Sequence, residues 1–248
     1  MLNLKNISVT YQTDAGDHEA LSNVNLTLST GTSCVVIGPT GCGKSSLLYL
    51  LAGLLKPTKG KVFVNGEELT SVRLSTSLIL QQHGLFPWKN AFENASLGLA
   101  IRGTARTERS VIIKSLMEDV GIWDVQDSFP AQLSGGQRQR VAIARSLATE
   151  PDLLLMDEPF SALDSITRES LQNLVLGLWR NRTFTFVLVT HSIEEAVFIG
   201  RQIVVLSRRP GKVISVIDNP GMGEESFRLT ETYHSRCSEI RRIVEGLS

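Results

Sequence analysis

Apolar and polar residues alternate through Leu2, Leu4, Ile7 and Val9, and again through Leu21, Val24, Leu26 and Leu28, which is the period of strands with one buried face. Two such strands in succession predict an opening antiparallel sheet. The wholly apolar run Cys34-Val35-Val36-Ile37 predicts a buried strand that stops at Gly38, and helical spacing follows over 44–53. Lys61-Val62-Phe63-Val64 ahead of Asn65-Gly66 predicts a strand and a hairpin turn, and 77–80 another strand. From Leu85 to about Gln132 the pattern becomes helical, with Val111, Ile112, Leu116, Met117 and Val120 expected on one buried face. The α/β pattern resumes with a helix after Leu133, an apolar strand at 153–156, an amphipathic helix through Leu171, Leu174, Val175 and Leu178, and a strand at 186–190. Strands at 203–206 and 213–217 flank the turn Arg209-Pro210-Gly211. A last helix presents Ile240, Ile243, Val244 and Leu247 for packing.

These elements predict an α/β chain of one domain over 1–248. Its core, 1–84 and 133–248, includes an N-terminal antiparallel β-subdomain, and an α-helical subdomain is inserted at 85–132.

Composition narrows the classes. With 248 residues, 42% of them hydrophobic, the chain can bury an ordinary core. Twenty-five Lys plus Arg balance twenty-five Asp plus Glu, so no bulk charge draws it to nucleic acid or to an anionic membrane surface. Three cysteines, Cys34, Cys42 and Cys237, have neither metal spacing nor an even count, which favours reduced thiols. The N-terminus lacks a charged-then-apolar leader pattern, and the longest near-continuous apolar run, 47–55, is too short to span a bilayer. A role at a membrane is therefore expected to run through a partner.

Three segments carry chemistry. GPTGCGKS, comprising Gly38, Pro39, Thr40, Gly41, Cys42, Gly43, Lys44 and Ser45, fits G-x-x-x-x-G-K-S between a strand and a helix. Its glycines let backbone N–H groups close around phosphates, Lys44 adds a point charge, and the Ser45 hydroxyl can ligate Mg²⁺. LLLMDE at 153–158 delivers Asp157 and Glu158 at the carboxyl edge of a strand, where Asp157 suits the Mg²⁺ shell and Glu158 suits polarising a water. LSGGQ at 133–137 sets Ser134, Gly135, Gly136 and Gln137 at the start of a helix. Alone it reads as an N-cap; ahead of the carboxylate strand it reads as a second anion site.

Taken together these motifs resemble the ATP-binding subunits of ABC transporters over nearly the whole chain. The resemblance implies a P-loop ATPase core that takes ATP and Mg²⁺, with LSGGQ as the signature motif. Ser161-Ala162-Leu163-Asp164 would be the D-loop, His191 the switch histidine at the γ-phosphate, and Tyr11 the aromatic that stacks on adenine, with Ser46 closing the phosphate loop. Gln81 and Gln82 both fit the glutamine loop; counting back from Leu85-Phe86-Pro87-Trp88 favours Gln81 as the contact to Mg²⁺ and water. Catalysis would then fall to Glu158, His191 and Gln81.

The same resemblance implies a head-to-tail dimer of ATPase subunits, in which the phosphate loop of one chain and the LSGGQ of the other enclose each ATP. It also implies two membrane permease subunits docking near 82–88, an extracytoplasmic solute-binding protein acting indirectly, and a peripheral place on the cytoplasmic face of the cell membrane. DEPFSALD resembles importer subunits, and LFPW with Glu93-Asn94, like THSIEEA, resembles the nitrate, sulfonate and taurine importers in particular. Alternatives are the ATPase of an ABC exporter, or a soluble ABC ATPase. Against the latter, the span between Lys44 and Leu133 holds only a compact subdomain.

Overall fold

The opening alternation folds as expected. In the computed structural model, which describes residues 1–14 and 16–246, β1 (Leu2–Thr13) pairs antiparallel with β2 (Gly16–Leu28), from Leu2 opposite Leu28 to Thr13 opposite Gly16. The apolar positions point inward: Leu2, Leu4, Val24, Leu26 and Leu28 are buried, while Asn23, Asn25 and Thr27 between them are exposed. β4 (Lys59–Val64) lies along the other side of β1, and a two-residue turn returns the chain into the short β5 (Glu67–Glu68). Asn65 and Gly66 both take left-handed backbone there, at φ 54 and 87, as a two-residue hairpin of this hand requires.

The chain divides into two compact units, Met1–Arg73 with Thr183–Ser248, and Leu74–Arg182. In the first, a second sheet runs in the order β10, β9, β3, β8. β3 (Ser33–Ile37) is buried at every residue and lies parallel to both β8 (Thr185–Thr190) and β9 (Gln202–Leu206), while β10 (Val213–Asp218) closes the edge antiparallel to β9. Strands covered on both faces have no polar alternation to show, which is why 34–37 and 186–189 read as plain apolar runs. α1 (Lys44–Leu51) follows the phosphate loop. The seven-residue α6 (Ile193–Ile199) was not expected: its four consecutive apolar residues, Ala196 to Ile199, are all buried, so no helical stripe is visible in the sequence. α7 (Glu231–Glu245) packs through Tyr233, Cys237 and Ile240, with Ile243 and Val244 half-buried; Leu247 lies outside the described residues. Its Tyr233 hydroxyl donates to the Glu194 carbonyl at 3.3 Å, and Arg241 pairs with Glu194 at 3.0 Å.

The second unit pairs β6 (Thr76–Ile79) parallel with β7 (Leu153–Asp157) and surrounds them with helices. α2 (Ala91–Ile101) starts from a reciprocal cap: Asn90 accepts the Glu93 N–H at 2.8 Å and Glu93 accepts the Asn90 N–H at 3.0 Å. α3 (Arg106–Asp119) buries Ile113, Leu116 and Met117, continued by Val120 just past its end. The expected face therefore shifts by one residue at its start. Val111 is 71% exposed and Ile113 takes the buried position, because 113, 116, 117 and 120 are the set that shares one side at 3.6 residues per turn. Single turns of tighter helix at Trp123–Val125 and Pro130–Gln132 lead into α4 (Gly135–Leu147), and α5 (Ser165–Asn181) ends the unit. Among the described residues no helix is long and apolar enough to cross a membrane.

Candidate functional site

In the first unit the phosphate loop begins where β3 ends. Gly43, the residue before α1, has φ 102, and a Cβ there would sit 2.7 Å from the Ala20 carbonyl and 2.8 Å from Leu21 Cδ2. Only glycine satisfies both the backbone and the space. The first turn of α1 is capped by no side chain and carries no acidic residue, leaving its N–H groups and the positive helix end for an anion. Lys44 is 6% exposed; its Nζ donates to the Gly38 carbonyl at 2.8 Å and the Pro39 carbonyl at 3.1 Å. An ammonium has three donors, so one remains for a bound phosphate. Thr40, Gly41 and Ser45 are exposed, and Cys42 is buried, its thiol pushed up by desolvation against the pull of Lys44. That protects it from thiolate chemistry. Tyr11, 36% exposed near the end of β1, donates to Ser46 Oγ at 3.0 Å.

His191 leaves the same sheet edge. Ile37 pairs with Thr190, so Gly38 and His191 follow in-register ends of neighbouring parallel strands, the position at which open α/β sheets bind ligands. The turn carrying His191 is braced from behind. Thr190 Oγ1 donates to the buried Glu195 carboxylate at 2.6 Å and accepts the Ser192 N–H at 3.0 Å, and Ser192 Oγ caps α6 at the Glu195 N–H. Glu195 and Ser192 were not among the expected site residues. Their S-x-x-E spacing signals a helix start, and the Glu195 carboxylate also takes the Thr190 hydroxyl.

A second unforeseen contact is Gly211. Its N–H and carbonyl bond to the Ala20 carbonyl and the Ser22 N–H, and a Cβ on it would collide with the Cys42 carbonyl, so the turn after β9 supports the phosphate loop from below.

In the second unit, parallel β6 and β7 bring Gln81 and the two carboxylates to one edge. Ile79 pairs with Met156, and two residues beyond each the Gln81 Nε2 lies 3.5 Å from Glu158 Oε2. Gln82, like Gln81, is exposed. Asp157 is 6% exposed, while Glu158 is half-buried and held at φ 43, its carbonyl accepting both the N–H and the hydroxyl of Ser161. A glutamate in left-handed backbone costs about 1–3 kcal/mol, which the Ser161 bonds help offset.

Ser134 caps α4 reciprocally with Gln137, at 3.2 Å to its N–H and 2.8 Å back from its amide oxygen. Gly135 and Gly136 form the first turn, and Gly136 sits so close to α5 that a Cβ would reach 2.7 Å from Thr167 Cγ2. Asp164 caps α5 through the Thr167 N–H at 3.0 Å, and these N–H groups hold its carboxyl below the usual range. The Ser134 turn and Asp164 thereby share one surface of this unit.

The family model described as ABC transporter matches residues 21–161. The chain belongs to this family. Two taurine import ATP-binding proteins resemble it closely. That of Roseobacter denitrificans is 41% identical over 213 residues, 86% of this chain and 80% of the relative. That of Escherichia coli is 43% identical over 201 residues, 81% and 79%. Among solved structures, the dimeric post-hydrolysis state of the ATP-binding cassette MJ0796 bound to ADP and Pi superposes with a TM-score of 0.78 at 33% identity, covering 88% of this chain and 98% of that one.

As an ABC transporter ATPase, the chain binds and hydrolyses ATP on the P-loop NTPase fold expected from its sequence. The loop at 38–45 supplies what a triphosphate needs, which is backbone donors, a helix end and a buried ammonium.

Proposed function

We propose that the chain is the ATPase of a small-solute importer, acting as a dimer beneath membrane permease subunits. Gln81 set 3.5 Å from Glu158 is the observation that carries the hydrolytic half of this reading. A carboxylate for the attacking water and an amide beside it are what in-line phosphoryl transfer asks of the protein. Glu158 acts as the base and Gln81 orients the water. His191, Lys44 and the loop N–H groups meet the phosphates, and Tyr11 stacks on the adenine.

Mg²⁺ is the expected companion of ATP. Among the described residues no three His, Cys, Asp or Glu side chains converge as an all-protein metal site. That suits Mg²⁺, which takes one or two protein oxygens and completes its shell with phosphate and water; the Ser45 hydroxyl and the Asp157 carboxylate are hard oxygen donors of that kind.

In the dimer, the Ser134–Gly136 turn and Asp164 of one copy complete the phosphate site of the other, so that closure is required for turnover. The relatives' names favour import and a sulfonate such as taurine as cargo, with selectivity residing in the permease and an extracytoplasmic binding protein. The chain would work as one ATP-binding domain, peripheral on the cytoplasmic face, with 85–132 as the helical subdomain that meets the permease. A cavity of about 680 Å³ in that region, lined by Lys89, Arg106, Arg109, Lys114 and Trp123 among others, supports docking of an acidic or carbonyl-rich segment.

Glu158→Gln should bind ATP and trap a closed dimer with turnover almost abolished, whereas Lys44→Ala should lose nucleotide binding. Size-exclusion chromatography with ATP and steady-state phosphate release measure both. Undiminished turnover in Glu158→Gln would overturn the role given to Glu158.

A further inference from the structure

The segment that carries Gln81 has no regular structure to hold it. The chain leaves β6 at Ile79, and the His83 N–H bonds back to the Leu80 carbonyl at 2.8 Å. The Gly84 N–H then closes on the Gln82 carbonyl at 2.7 Å, with His83 at φ 63 and Gly84 at φ 59. A three-residue turn whose central residue has positive φ is the rarer, strained form. Few residues other than glycine take such backbone, and histidine, though commoner there than most, is not held by that tendency alone. Its ring lies towards the fully buried Gln139 amide; among the described residues neither His83 Nδ1 nor that amide makes a well-formed hydrogen bond.

The anchor comes from α4. Arg145, in its last turn, donates from Nη1 to the Gly84 carbonyl at 2.6 Å and from Nη2 to the His83 carbonyl at 2.6 Å. Two successive left-handed residues aim these carbonyls so that one planar fork takes both, which an ammonium cannot do. Among the described residues Arg145 forms no ion pair, so its charge acts on this turn.

We infer that Arg145 is a positioning residue for ATP hydrolysis. By clamping the carbonyls of His83 and Gly84 it fixes Gln81 against Glu158 and ties Gln81 to the far end of the helix that begins at the Ser134 turn. This rests on the reading of Gln81 and Glu158 as hydrolytic residues. α4 has thirteen residues and is about 20 Å long. A displacement at its first turn, where the partner copy's nucleotide would lie, would reach Gln81 through a rigid rod and two hydrogen bonds.

The test is a double-mutant cycle on the full chain, with hydrogen exchange as an independent readout. Arg145→Ala should lower kcat about tenfold to a hundredfold, the scale of a small misplacement of a catalytic group, with KM for ATP little changed. Arg145→Lys, able to reach one carbonyl, should recover part of the loss. In a Gln81→Ala background Arg145→Ala should cost almost nothing more, and in the wild-type background it should speed amide exchange across 80–86. Losses that multiply in the double mutant, or unchanged exchange at 80–86, would overturn the positioning role. Wild-type turnover in Gln81→Ala would remove the role read for Gln81 and the inference with it, an outcome distinct from multiplying losses. Should Arg145→Ala fail to fold, Arg145→Lys and Arg145→Gln carry the same cycle.

Discussion

Gly43 and Gly41 both lie in left-handed backbone in the phosphate loop, but only Gly43 has its neighbours within a Cβ radius. The two substitutions should therefore separate backbone strain from collision. Gly41→Ala should cost about 1 kcal/mol, the penalty for placing a side chain at positive φ, and leave nucleotide binding measurable. Gly43→Ala adds contact with Ala20 and Leu21, and should cost more and distort the loop; thermal unfolding and nucleotide titration of the two variants compare them directly. His83 makes the chain sensitive to acid at one residue. Burial, and then the charges of Arg138 and Arg145, lower its pKa below the ordinary value. The native state thus resists a proton that the unfolded chain accepts near pH 6.5. Stability should be unaffected by this group above that pH and should fall as the pH drops below it. His83→Asn, which tolerates φ 63 and cannot titrate, should show a shallower decline in melting temperature between about pH 7 and pH 5.

At the scale of elements, the Thr190–Glu195 bond joins the end of β8 to the start of α6 and so sets how His191 is presented. Glu195→Gln keeps the shape but removes the charge from a buried 2.6 Å hydrogen bond. It should cost about 1–2 kcal/mol of stability and lower kcat more than it raises KM for ATP; equal effects on both would mean that the bond matters only for folding. The elements also divide by how local their causes are. The phosphate loop, the β7 carboxylates and the Ser134 cap were legible because each is written in eight or fewer consecutive residues and acts largely through its own backbone. α6 was not, because its polar residues, Glu194 and Glu195, sit side by side in the first turn and the four that follow, Ala196 to Ile199, are all apolar and buried, so no period shows. The face of α3 was read one residue off at Val111, where the apolar run 111–113 offers two registers and only the neighbouring helices choose between them. Arg145, sixty-one residues from Gly84, leaves no mark in any window a sequence motif can use.

For the whole molecule, the neutral net charge conceals a local excess. Lys89, Arg106, Arg109 and Lys114 line the cavity beside α2 and α3, and the buried Nε of Arg109 has no partner. The two carboxylates there are Glu93, engaged in capping α2, and Asp127. A positive recess following the exposed Trp88 suits a partner segment that brings carboxylates or the carbonyl end of a helix. If the permease docks there, Arg106→Glu should weaken association and lose most of the permease-stimulated ATPase. Added salt should weaken wild-type association but affect the variant less, because screening acts on the attraction the variant has already lost. Trp88→Ala should also reduce stimulation more than basal turnover, but with little dependence on salt, since the indole contributes buried surface rather than charge. Measuring both variants in proteoliposomes across a salt series distinguishes the two contributions. Equal loss of basal and stimulated turnover in both would place the permease contact elsewhere on the chain.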